Sequence, residues 1–260
     1  MKKILIMLLM LLMSTALVVA FAGCGGSSEE AQTEEPAAAE EDGQLSGGWT
    51  VYADSSAVEL PEPVKTAFEK ATENLVGNEF TPLAYMSKQV VAGTNYQILC
   101  KSVMTTSDPE PSLQVLVVYM DLDGRAEVSN ITEFDIGKYT DNSGADVGEA
   151  HLAGGWEVAE DYTKGELPEE VKAVYEKAIQ QIDGSNFTPM AYLGSQVVAG
   201  TNYAVMVEDE TTAEEPVRNI QVLTIYEDLN GKVELSNICT LLPAEFAERP
   251  DGAEDGGDDQ

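Results

Sequence analysis

Histidine is nearly absent from this chain: His151 is the only one in 260 residues. No Ser or Cys stands beside a recognisable activating partner, so nucleophilic and general-base catalysis lack their usual players and the chain does not read as an enzyme. Cysteine is also scarce, with three in all, Cys24, Cys100 and Cys239. Cys100 and Cys239 stand in apolar strand contexts and read as small buried hydrophobes, although a disulfide between them, bridging the two halves of the chain, stays open. Basic residues are the third shortage: 14 Lys and Arg face 46 Asp and Glu, for a net charge of −32. Such a surface is repelled by nucleic acid and by anionic headgroups, so a macromolecular partner should be neutral or basic where it touches. No cofactor motif or metal-ligand run is present. Asp121-Leu122-Asp123-Gly124 reads as a plain turn, since its calcium-loop ligands are not continued and the second copy has Asn230.

Long apolar runs are confined to the start of the chain. Met1-Lys2-Lys3 precedes a continuous apolar stretch over residues 4–12, and Phe21-Ala22-Gly23-Cys24 comes after it. This is the pattern of a secretory signal, too short and wrongly flanked for a membrane span. Phe21-Ala22-Gly23-Cys24 resembles a bacterial lipobox. The resemblance implies cleavage after residue 23, lipidation of Cys24, and an extracytoplasmic protein held to the bacterial cell membrane through its lipid alone. Two or more acyl chains would make that anchor stable. Residues 25–46 hold seven acidic and no basic residues in a Gly, Ser, Ala and Gln background. They read as an extended tether of about 26 Å or more.

The rest of the chain is one module written twice. Gln89-Val90-Val91-Ala92-Gly93-Thr94-Asn95-Tyr96 recurs as Gln196-Val197-Val198-Ala199-Gly200-Thr201-Asn202-Tyr203, 107 residues later. The same offset maps Gly47-Gly48-Trp49 onto Gly154-Gly155-Trp156 and Ser129-Asn130-Ile131 onto Ser236-Asn237-Ile238 without insertion or deletion. A register held this long means duplication of a domain. The expected organisation is a signal peptide over 1–23, lipid and tether over 24–46, domain 1 over 47–136, a linker over 137–153, domain 2 over 154–243 and a disordered acidic tail over 244–260. The chain reads as a monomer.

Within a repeat the periodicity changes once. Val64, Ala67, Phe68, Ala71 and Leu75 form a helical stripe, matched by Val171, Val174, Tyr175, Ala178 and Ile182. Pro61 and Pro168 stand at its start. Strands are expected over 83–91, 95–103, 113–119 and 125–134, the last two joined at Asp123-Gly124, with a short edge strand near Trp49. The expected class is α+β, with one helix packed across a four- to five-stranded antiparallel sheet in each repeat.

Gln89-Val90-Val91-Ala92-Gly93, followed by Thr-Asn-Tyr at the head of a strand, resembles the first binding hairpin of the cystatins, inhibitors of papain-like cysteine proteases. The resemblance extends to glycines near each domain start, Gly47, Gly48, Gly154 and Gly155, and to the order of glycine, helix and hairpin. It implies two tandem cystatin-like domains and a papain-like cysteine protease as partner. It also implies protease contacts from Gln89, Val90, Val91, Ala92 and Gly93, repeated as Gln196, Val197, Val198, Ala199 and Gly200. Leu122 and Leu229 are the apolar residues at the second hairpin, where many cystatins carry Pro-Trp. Inhibition would be occlusion: glycine at a tip permits close backbone approach, Gln89 and Gln196 can brace the hairpin, and no covalent chemistry is needed. The competing expectation is a non-inhibitory binding or spacer module.

Overall fold

A computed structural model describes residues 47–52, 60–107, 109–140, 155–159 and 166–247. Cys24, Gly154, His151, the signal peptide and the tether lie outside the described residues. Repeat 1 runs β1 (Trp49–Val51), α1 (Glu62–Thr72), β2 (Asn78–Val91), β3 (Gly93–Met104), β4 (Pro111–Met120) and β5 (Ala126–Glu133), followed by α2 (Ile136–Thr140). Repeat 2 runs β6 (Glu157–Val158), α3 (Glu169–Ile179), β7 (Ser185–Val198), β8 (Gly200–Thr211), β9 (Arg218–Glu227) and β10 (Val233–Leu241), closed by a 3-10 turn at Pro243–Phe246. Each repeat forms one five-stranded antiparallel sheet, in the order β1-β2-β3-β4-β5 and β10-β9-β8-β7-β6.

The α+β class with two tandem cystatin-like domains is overturned. The protein is mostly β, with 53% of the described residues in strand and 18% in helix. The physical reason lies in the lengths and in what the sheets cover. α1 and α3 are 11 residues each, while β2 and β7 run to 14. The central strands β3, β4, β8 and β9 are buried on both faces, and on one of those faces the cover is the other sheet.

α1 begins after Pro61, with Glu62 in its first turn and Lys70 in its last, charges that suit the helix dipole. It lays Val64, Ala67 and Phe68 on Ile98, Cys100, Leu116 and Val118. α3 likewise lays Val171, Val174 and Tyr175 on Val205, Val207, Leu223 and Ile225. The opposite faces meet in a third cluster drawn from both repeats in matched positions: Leu83 with Met190, Met86 with Leu193, Leu99 with Met206, Leu113 with Ile220, Val115 with Val222 and Phe134 with Leu241. The layers are therefore helix, sheet, sheet, helix, and both sheets belong to one compact unit, Gly43–Gln260.

Two bulges shape β2, between Pro82 and Ala84 and between Tyr85 and Ser87, and β7 repeats them between Pro189 and Ala191 and between Tyr192 and Gly194. Each bulge adds bend and twist. The consecutive residues Leu83 and Ala84 thereby both reach the shared core.

The segments after the last strand of each repeat seal the shared core. α2 lies against β9 and β10, and Phe134 stacks on Tyr139 at 4.7 Å. The stretch read as a tail from Ala244 instead begins in the 3-10 turn, where Phe246 is 1% exposed. Gln97, fully buried in β3, accepts from Ser87 Oγ at 2.6 Å and donates from Nε2 to the Pro243 carbonyl at 2.7 Å. From the other repeat, Asn237 Nδ2 donates to the Tyr139 carbonyl at 3.3 Å. Each sheet is thus held by the segment that extends beyond its partner's final strand.

Cys100 is fully buried beneath α1, Cys239 packs at the margin of the shared core, and neither is in a disulfide. The disulfide left open by the sequence is not formed, because the two residues lie in different layers.

Candidate functional site

Antiparallel pairing carries the sequence-predicted residues of repeat 1 to one end of its sheet. Trp49 pairs with Gln89, Val91 with Gly93, Thr94 with Met120, and Met120 with Ala126. The N-terminal glycines, the β2–β3 tip at Ala92 and the β4–β5 tip at Leu122 therefore stand side by side. Residues Val197 to Gly200 and Leu229 repeat this arrangement in the second sheet, through Val198 opposite Gly200, Thr201 opposite Glu227 and Glu227 opposite Val233. No tip residue enters the shared core.

Gln89 is the brace expected of it. Its Nε2 donates to the Gly47 carbonyl at 2.9 Å, its Oε1 accepts from Asn95 Nδ2 at 2.8 Å, and the Gly47 amide donates to the Val90 carbonyl at 3.1 Å. One glutamine thus joins the N-terminal segment to both arms of the hairpin. In repeat 2, Asn202 Nδ2 donates to Gln196 Oε1 at 2.9 Å. Gly48 leads from Gly47 directly into β1, and Gly155 has open space around it.

Gly93 and Gly200 do something the sequence did not announce. Each has positive φ, +129° and +134°. A Cβ on Gly93 would overlap the Met120 carbonyl oxygen and lie 2.8 Å from Tyr119 Cε2; on Gly200 it would overlap the Glu227 carbonyl and lie 2.8 Å from Tyr226 Cε2. These glycines are buried and face their own sheet. The close approach they permit is to a neighbouring strand, and the exposed surface of the tip belongs to the residues before them.

That surface is apolar. Val90, Val91 and Ala92 are exposed, Val91 at 41%, and Leu122 beside them is 86% exposed. In repeat 2, Val197 is 65% and Leu229 84% exposed, with Ala199 also exposed and Val198 half-buried. Around each tip the charge is mixed. Asp121 Oδ1 accepts from the amides of Asp123 and Arg125, both at 2.9 Å, and Asp121 Oδ2 pairs with Arg125 Nε at 2.8 Å. The Arg125 amide holds the Asp121 carboxyl below its ordinary range, with help from the Arg125 side chain and the Asp123 amide. Asp228 is lowered in the same way, chiefly by the amides of Lys232 and Asn230. Lys70 Nζ donates to the Gly124 carbonyl at 2.7 Å, tying α1 to the first tip.

Two residues escaped the sequence reading. Tyr119 Oη donates to the Ala92 carbonyl at 2.5 Å, and Tyr226 Oη donates to the Ala199 carbonyl at the same distance. The one available signal was their identity at the 107-residue offset. Asn95 and Asn202 lay inside the repeated string but had no role until the brace was seen.

Among the described residues no cluster of three metal-ligating side chains occurs, and no helix is long and apolar enough to cross a membrane. No family model matches the chain, and no curated protein matches it.

Proposed function

We propose that the protein is a reversible, tight-binding inhibitor of papain-like cysteine proteases, displayed outside a bacterial cell by lipid on Cys24, and that the hairpin tips are the parts that enter the protease cleft. One observation supports this most: each repeat presents an apolar tip, Val90 to Ala92 with Leu122 or Val197 to Ala199 with Leu229, braced from behind by residues that recur in both copies. The most exposed of these side chains, Leu122, Val197 and Leu229, contribute little packing to their own fold. They can fill apolar subsites without first being ordered, which keeps the entropic cost of binding low. The likeness of Gln89 to Gly93 to the cystatin hairpin supplies the target class. Inhibition proceeds by occlusion, since extended backbone in the cleft excludes substrate and needs no covalent step.

Substitution at the exposed positions tests this reading. Val91→Asp with Leu122→Asp in repeat 1 and Val197→Asp with Leu229→Asp in repeat 2 alter only exposed side chains, so far-ultraviolet circular dichroism should not change. Inhibition of papain should weaken about a hundredfold or more, as expected when central apolar anchors are removed. Full inhibition by this variant would show that the tips are not the site.

A second reading has its own support. Gln89, Asn95 and Gly93 are all engaged within their own sheet, so their recurrence is accounted for by folding alone. A non-inhibitory module holding another protein or an envelope component would show the same motif, and it would be indifferent to papain.

A further inference from the structure

The geometry points to Tyr119 and Tyr226 as positioning residues that lock each hairpin tip into its working shape before any partner arrives. The inference rests on the tips being the binding elements, but it concerns how they are held. The turn between β2 and β3 is as short as a turn can be, with Val91 opposite Gly93 and Ala92 alone between them. The Ala92 carbonyl therefore has no partner across its own hairpin. Tyr119, on the neighbouring strand β4, provides one through its hydroxyl at 2.5 Å, and its ring lies where Gly93 has no side chain. The hydroxyl fixes the tip in one direction and the ring supports it from beneath. Tyr226, Ala199 and Gly200 reproduce the same three-part contact.

Glycine and tyrosine are thus one device. A side chain at Gly93 would expel the ring, and without the phenol the short turn would hinge about its glycine. Val90, Val91 and Ala92 would still be exposed, but would sample several orientations. A tip held in one orientation binds with less loss of freedom and dissociates more slowly. The clamp therefore acts on residence time, without touching the partner.

The test is the double variant Tyr119→Phe with Tyr226→Phe in the chain from residue 43 onward, which keeps both rings and removes only the hydroxyls. Amide hydrogen exchange is measured without protease, followed by papain association and dissociation rates. Exchange at Ala92, Thr94, Ala199 and Thr201 should accelerate about tenfold while the thermal midpoint falls by only a few degrees, as the loss of one hydrogen bond per tip implies. Dissociation from papain should quicken by a similar factor, with association nearly constant. Unchanged exchange at the tips overturns the clamp, as does a loss of protection spread evenly through the sheets. Faster tip exchange in a protein whose parent does not inhibit papain upholds the clamp and removes the protease as its target.

Discussion

Gly93 and Gly200 carry the sharpest prediction at the scale of single residues. Gly93→Ala and Gly200→Ala each place a methyl group on a carbonyl oxygen in a backbone region that side chains rarely adopt. Each should destabilise the fold by about 1–3 kcal/mol. Gly155→Ala, with nothing nearby, should stay within about 0.5 kcal/mol. Urea denaturation of the three variants separates these outcomes, and equal stabilities would contradict the clamp geometry. The same glycines show how far the sequence could be read. Their recurrence marked a place where backbone must come close to something, and that was legible. What it comes close to was not, because Tyr119 lies 27 residues from Ala92 and meets it only through the β3–β4 pairing. Gln89 was legible as a brace because its side chain acts within the local hairpin. Its bond to Gly47 needed β1 to fold back along β2.

At the scale of elements, the β4–β5 and β9–β10 turns are organised by Asp121 and Asp228, and both carboxyls sit below their ordinary range. A lowered folded value favours the ionised form in the folded state. The contribution is complete above the unfolded value of about 4 and is lost as pH falls through the lower folded value. Acidification should therefore release the Asp123 and Arg125 amides, and their counterparts Asn230 and Lys232, before the sheets unfold. An NMR pH titration following those amides checks this; shifts that move only with global unfolding would contradict it. Turns of this kind were visible in Asp123-Gly124 and Asn230-Gly231. The helical stripe was visible too, up to Ala71, but Leu75 lies beyond α1 and is exposed. β2 begins at Asn78, before the expected residue 83, because its two bulges break simple alternation and let a strand pass through Pro82. Such irregularity has no signature in a periodicity of two.

The whole molecule is governed by the face that the two sheets share. Its residues, among them Leu99, Val115, Met206 and Val222, gave strands that were apolar on both sides, and the sequence alone could not say what would cover the second side. Phe246 was hidden by the acidic stretch around it. Phe246→Ala should cost about 3–5 kcal/mol, and Gln97→Ala, which strands the buried Ser87 hydroxyl and the Pro243 carbonyl, about 1–3 kcal/mol; calorimetry of each variant checks both. Alkali should act on the same cores. Burial raises the phenols of Tyr85, Tyr139 and Tyr175 above their ordinary value, so above pH about 10 the unfolded chain loses protons that the folded chain keeps. Stability should fall as pH rises there, a trend that urea midpoints at successive alkaline pH values would reveal or deny. The tips stand apart from this core, which leaves them available for a partner. Titration of the chain from residue 43 onward against papain, with a fluorogenic peptide substrate, tests the proposed activity most directly. Reversible, competitive, submicromolar inhibition is the predicted result, and a papain activity untouched at tens of micromolar chain would contradict it.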